Sequence, residues 1–189
     1  MADQPTNTAG TKPQRKGTKS GVTTELSVFL KVIPGRAEVI RQALQAAEHD
    51  PRRLAAFENI GTLTEARIVL FDNDTRLGFF TVYEGDWDFY IESFLPEVVP
   101  AMDRVFRGNV EDYPTKPLAE ISVSESKAFL NDHQVTAASF IWLHGDATLK
   151  DIRKAQRVQR AFEQVLDSPE GQKALMNSAL KPLLAEAAD

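Results

Sequence analysis

Arg67, Tyr83 and His144 are the side chains of this sequence whose types and setting suit anion holding and proton transfer. Each stands in a run that alternates as a β-strand does, and alternation counted along each run turns all three toward one side of a sheet. On that side they are joined by Phe29, Phe79, Thr81, Phe140 and Trp142, the apolar and aromatic neighbours that line small-molecule sites. In such a pocket the Arg67 guanidinium holds an anionic group, the Tyr83 hydroxyl donates a hydrogen bond, and His144 acts as general base or metal ligand. The competing reading makes the same surface the packed core of an interface, with Tyr83 and Trp142 bonded to backbone and His144 at the rim.

The remaining chemistry-bearing residues read as structure. His49 sits beside Asp50 and Pro51 at a helix end, and His133 follows Asp132 in a loop. The pairs Asp86 with Asp88 and Glu111 with Asp112 fall at a helix start and in a loop, where capping and solvation account for them. There is no cysteine, which removes disulfides, thiolate metal sites and cysteine nucleophiles. No His-x-x-x-His or Glu-x-x-His pair builds a metal site, so no metal ligands are assigned. A haem needs only a single histidine, and the cofactor stays open. P-loop, Gly-x-Gly-x-x-Gly and Gly-x-Ser-x-Gly motifs do not occur.

The elements that must position these groups follow from hydrophobic period. Residues 25–33 alternate as a first strand, Pro34 and Gly35 end it, and Val39, Ile40, Ala43, Leu44 and Ala47 recur at helical spacing. A second helical piece runs from Arg52 to Phe57. Ala66 to Phe71 and Leu77 to Tyr83 flank the turn-forming Asp72-Asn73-Asp74-Thr75 and predict an antiparallel hairpin. Within it, Ile68, Leu70, Phe80 and Val82 are expected to face the helices. Asp86 is a fitting N-cap for a helix that begins at Trp87 and carries an apolar stripe to Phe106, with Pro96 and Pro100 expected to kink or split it. A weakly helical stretch spans about 123–132. Residues 137–144 alternate once more and predict a fourth strand. Thr148 with Asp151, and Ser168 before Pro169, mark the starts of two C-terminal helices, about 149–166 and 169–187. The first of these carries Lys150, Arg153, Lys154, Arg157 and Arg160, a basic stripe that reads as a solvated face.

The fold class is therefore α+β: a ferredoxin-like βαββαβ core with a four-stranded antiparallel sheet over residues 23–145, and a helical extension over 146–189 packed on that core. Residues 1–22 are polar, with Lys12, Arg15, Lys16 and Lys19 against Asp3 alone, and read as a disordered basic tail. A chain of 189 residues, 42% hydrophobic, can bury one substantial core, and a net charge of −5 argues against a nucleic-acid partner. No signal-peptide core and no run of ~18 apolar residues occurs, so a cytoplasmic protein without a membrane partner is expected.

Both faces of the expected strands are substantially apolar, which calls for a cover on the second face, and a second copy of the chain is the expected one. With this pattern over about residues 24–145, the chain resembles the dimeric α+β barrel superfamily, which includes cofactor-independent and haem-degrading monooxygenases, chlorite dismutases and dye-decolourising peroxidases. More narrowly, Ala66-Arg67 and Gly85-Asp86-Trp87-Asp88 resemble a Phe-Ala-Arg strand and a Gly-Asp-Trp-Asp helix start in uncharacterised bacterial proteins linked to peroxidase or catalase relatives. Glu65 and Thr64 stand where that pattern has phenylalanine and histidine. The resemblance implies a homodimer that binds a small molecule or is an oxidative enzyme, linked to haem or peroxide. The alternative is a non-catalytic assembly module that uses its aromatic sheet face for self-association or partner binding.

Overall fold

A computed structural model describes residues 17–186, organised as two compact units divided in the chain after Gly145. The first unit is α+β. Its strands are β1 (Lys19–Ser20), β2 (Thr23–Lys31), β3 (Leu63–Phe71) and β4 (Arg76–Glu84), and its helices are α1 (Ala37–Glu48), α2 (Pro51–Ile60), α3 (Trp87–Phe106) and α4 (Val123–His133). The sheet is wholly antiparallel, in the order β1-β2-β4-β3.

Register decides which side chains share a face. Leu26 pairs with Thr81, Val28 with Phe79 and Leu30 with Leu77, while across the other edge of β4 Ala66 pairs with Thr81 and Ile68 with Phe79. Phe79, Thr81 and Tyr83 therefore lie on the side of Leu26 and Ile68, beneath the helices, and Phe80 and Val82 lie on the other side. This reverses the expectation for β4. The run Leu77-Gly78-Phe79-Phe80-Thr81-Val82-Tyr83 is apolar on both faces, so its period has no phase until pairing supplies one. Thr81 is tolerated in the core because the Tyr90 hydroxyl donates to its Oγ1 at 2.9 Å.

Helix α3 supplies most of the cover. Tyr90, Ile91, Phe94, Val98, Met102 and Phe106 are buried along one stripe, with Phe94 and Phe106 against Phe79 at ring separations of 5.8 and 6.3 Å. Asp86 caps it as expected, accepting from the Asp88 amide at 2.9 Å. Pro96 and Pro100 lie inside one continuous helix and do not divide it. Helices α1 and α2 both pack against α3.

The second correction concerns residues 137–144, which form no strand. The sheet edge beyond β2 is taken first by β1, then by an isolated bridge between Val28 and Gln134, where the Val135 amide donates to the Ser27 carbonyl at 2.8 Å. From there onward side chains replace the backbone ladder. The buried Glu25 carboxylate accepts from the Ala137 amide at 2.9 Å and the Thr18 amide at 3.0 Å, and Ser20 Oγ accepts from the Trp142 amide at 3.0 Å. Those contacts also bring residues 17–22 into the fold, so the expected tail is shorter at this end; residues 1–16 lie outside the described residues.

The second unit contains α5 (Leu149–Leu166), α6 (Pro169–Leu175) and α7 (Lys181–Glu186). Thr148 and Asp151 form a capping box, and Ser168 caps α6 by accepting from the Gly171 amide at 3.0 Å. Instead of a single helix over 169–187, α6 stops at Leu175 and a 3-10 turn at 178–180 precedes α7. The basic side chains of α5 are all exposed.

Candidate functional site

The three residues expected to act together are not brought together. Arg67 lies on the open face of the sheet, its guanidinium 5.2 Å from the centre of the Phe80 ring and 3.5 Å from the Glu65 carboxylate. Tyr83 lies on the opposite face, fully buried and stacked on Tyr90. Burial, with Asp86 and Glu25 nearby, pushes its hydroxyl far above the ordinary phenol value, so it holds its proton. His144 is exposed in the irregular segment beyond β1, with its ring 4.8 Å from Trp142. Arg67 on β3 and the β1 edge are three strand spacings apart, roughly 14 Å.

The expected lining divides in the same way. Phe29 is on the open face, edge-on to Phe80 at 5.5 Å and to Phe71 at 6.1 Å. Phe79 and Thr81 belong to the helix side, and Phe140 and Trp142 are half-buried in the irregular segment. Residues Gly85 to Asp88 have structural work: Trp87 Nε1 donates to the buried Gln134 Oε1 at 2.9 Å, and Asp88 and Glu92 share the Lys127 ammonium at 2.6 and 2.7 Å. His49 and His133 each bond the carbonyl four residues earlier, at 2.8 Å. Among the described residues no three His, Asp or Glu side chains group to hold a metal. A haem does not fit either, since His144 stands in solvent and the apolar cleft described next has no histidine in its lining.

That cleft lies on the helix side, between the sheet and α1, α2 and α3, and encloses about 500 Å³. Its floor is Phe79, Phe94, Val98, Met102, Val105 and Phe106, all buried, and its walls are Leu44, Ala47, Ala56, Phe57, Ile68 and Ala101, all half-buried. The wall residues come from four separate elements. The Asp50-Pro51 start of α2 makes this geometry: Asp50 accepts from the Arg52 amide at 3.0 Å, which fixes where the helix begins and turns Phe57 toward the sheet.

Charge is confined to the rim. Asp50 is held bidentately by the Arg52 guanidinium, at 3.0 and 2.9 Å, and Glu97 accepts from the Asn59 amide group at 3.1 Å. Arg52, through its side-chain and amide bonds, and then the charge of Arg104, hold the Asp50 carboxyl down at about 2. Arg53 lies over the Phe57 ring at 5.8 Å.

A second, larger cleft of about 700 Å³ lies between the β2–α1 connection and the β3–β4 turn, where Asp72, Asn73 and Asp74 all have positive φ. Five of its seven charged groups pair with one another: Arg41 with Asp74 at 2.5 Å and Glu38 at 3.7 Å, and Lys31 with Glu111 at 3.6 Å, while Asp72 and Arg76 stand outside those pairs. A ligand that engages Arg41 or Lys31 there must break those pairs, whereas a ligand on the apolar floor and walls of the other cleft breaks none.

Of the cleft residues, Phe79 alone was among the sequence-level candidates, and it was expected on the other face of the sheet. Helix α2 carried the available signal, in Phe57 following Arg52 and Arg53, but what makes Phe57 a wall is its position over Ile68 and α3. No protein-family model, no curated protein and no solved structure matches this chain.

Proposed function

We propose that this protein binds a small apolar molecule in the cleft between the sheet and helices α1 to α3. The observation that carries the reading is the cleft itself: about 500 Å³, floored by Phe79, Phe94 and Phe106, walled by Phe57 and Ile68, and charged only at its rim. Size and lining fall in the range of small-molecule sites, which are concave and mostly apolar. Oxidative chemistry depended on Arg67, Tyr83 and His144 converging; they lie apart, so binding is the part of the expectation the geometry supports. The βααββα run from β2 to α3, with spatial order β2-β4-β3, supports relating the unit to the ferredoxin-like plan with one helix added, and β1 lies beside β2 where a fourth strand would stand.

Titration with N-phenyl-1-naphthylamine, a neutral apolar fluorophore, tests the binding. Saturable one-to-one enhancement is expected, and Ala101→Trp, which fills the cleft from α3, weakens it at least tenfold. Phe29→Ser on the open face leaves it unchanged. Absence of saturable binding contradicts the reading, as does loss of binding in the Phe29 variant alone.

A second reading has its own observation. Phe29, Phe71, Phe80 and Val82 form a partly exposed apolar patch on the open face, beside Val69, which is 42% exposed. A patch of clustered aromatics supports self-association with a second copy of the chain. Sedimentation of Phe80→Asp against the unaltered protein tests this: a dimer that becomes a monomer supports it, and an unaltered protein that is already monomeric at ~100 μM contradicts it.

A further inference from the structure

Five charged residues line the rim of the apolar cleft: Asp50, Arg52, Arg53, Glu97 and Arg104. They are not equivalent. Asp50 and Arg52 neutralise each other through two side-chain bonds at 3.0 and 2.9 Å, and Glu97 is engaged by Asn59 at 3.1 Å. Arg53 and Arg104 are the two whose side chains have no ion pair or hydrogen bond among the described residues. Arg53 is nonetheless positioned, because its guanidinium lies 5.8 Å over the ring of Phe57, which is itself a wall of the cleft. Arg104 stands on α3 between Met102 and Val105, both buried in the floor, so its stem borders the apolar surface. Its charge is felt at the mouth, where it helps hold Asp50 ionised.

We infer, building on the binding reading above, that the ligand is an amphipathic anion, an apolar chain or ring system ending in one carboxylate, with its apolar part against Phe57, Phe79 and Phe94 and its carboxylate at Arg53 and Arg104. The chemistry follows from placement. An apolar ligand with no charge gains the floor and walls and nothing at the rim. A carboxylate reaching the rim gains charge-assisted bonds from guanidinium groups that have no hydrogen-bond acceptor among the described residues, and planar guanidinium matches carboxylate bidentately. A terminal cation meets the reverse situation, since both rim carboxylates are already engaged by Arg52 and Asn59. Arg53 and Arg104 are exposed, so the carboxylate stays near water while the tail is buried, which avoids the cost of burying an ion.

The experiment displaces the neutral fluorophore with decanoate, decanol and decylamine, on the unaltered protein, on Arg53→Gln/Arg104→Gln together, and on Arg67→Gln as an open-face control. Decanoate is expected to compete about 10- to 100-fold more tightly than decanol, with the preference lost in the double variant, kept in Arg67→Gln and reduced by added salt. Equal competition by decanoate and decanol, or tighter competition by decylamine, overturns the anion assignment and leaves the binding reading standing. A preference for decanoate that persists in the double variant overturns the roles of Arg53 and Arg104. Fluorophore that binds saturably but is displaced by none of the three overturns the anion assignment alone, and fluorophore that never binds overturns the binding reading and the anion assignment with it.

Discussion

Tyr83 lies face to face on Tyr90, with ring centroids 4.0 Å apart and planes within 5° of parallel. This stack joins the sheet to the start of α3 and sends Tyr83 into the core rather than toward any partner of Arg67. Tyr90 in turn donates to Thr81, so three side chains from two elements close a buried group at one end of the unit.

Tyr83→Ala therefore acts on stability. Removing a fully buried ring from a stacked pair is expected to cost about 3–5 kcal/mol, whereas Arg67→Ala, whose side chain is exposed and whose partner Glu65 is too, is expected to cost under about 1 kcal/mol. Urea denaturation of the two variants checks both magnitudes. Equal costs would contradict the assignment of opposite faces.

Glu25 holds two chain segments at once. Its carboxylate accepts from the Thr18 and Ala137 amides and from Ser27 Oγ at 2.6 Å, so Glu25→Ala leaves part-buried donors unsatisfied, at about 1–3 kcal/mol each. The expected outcome is local: hydrogen exchange at the Thr18 and Ala137 amides accelerates strongly, while amides of β3 and β4 slow or quicken only with global stability. Uniform acceleration across the sheet would show that Glu25 acts on the whole unit and not on the segment it binds.

Asp50 gives a pH prediction with a definite sign. Its folded value, about 2, lies below the ordinary 3.8, so folding favours the ionised form. Its stabilising contribution is present above the ordinary value and is lost as pH falls through about 2, where the α2 cap and the Arg52 pair both release. Carboxyl carbon-13 NMR should show Asp50 titrating at about 2, below its ordinary value of 3.8. In Arg52→Gln the titration should move up toward the ordinary value; an unmoved midpoint would remove Arg52 as the cause.

The fold was legible wherever one local signal sufficed. Asp86 before Trp87, Thr148 with Asp151 and Ser168 before Pro169 mark helix starts by chemistry complete within four residues, and all three cap their helices. Leu26, Val28 and Leu30 were readable because β2 is polar at Ser27 and Lys31 on its other face. Strand β4 has no such contrast, and its phase comes from pairing with β2, which a window of one strand does not contain. Residues 137–144 alternate as a strand yet are tied to the unit by Glu25 and Ser20 through side-chain acceptors, so alternation there reflects which side chains are half-buried and not a ladder. The cleft was the least legible part, because Leu44, Phe57, Ile68 and Met102 come from four elements and acquire a common meaning only in three dimensions.

Intermolecular methyl NOEs to bound N-phenyl-1-naphthylamine test the central claim most directly. The cleft account predicts contacts from the methyl groups of Leu44, Ile68, Val98 and Met102, and none from Val69 or Val82 on the open face. Contacts from Val69 and Val82 in place of the cleft methyls would contradict it.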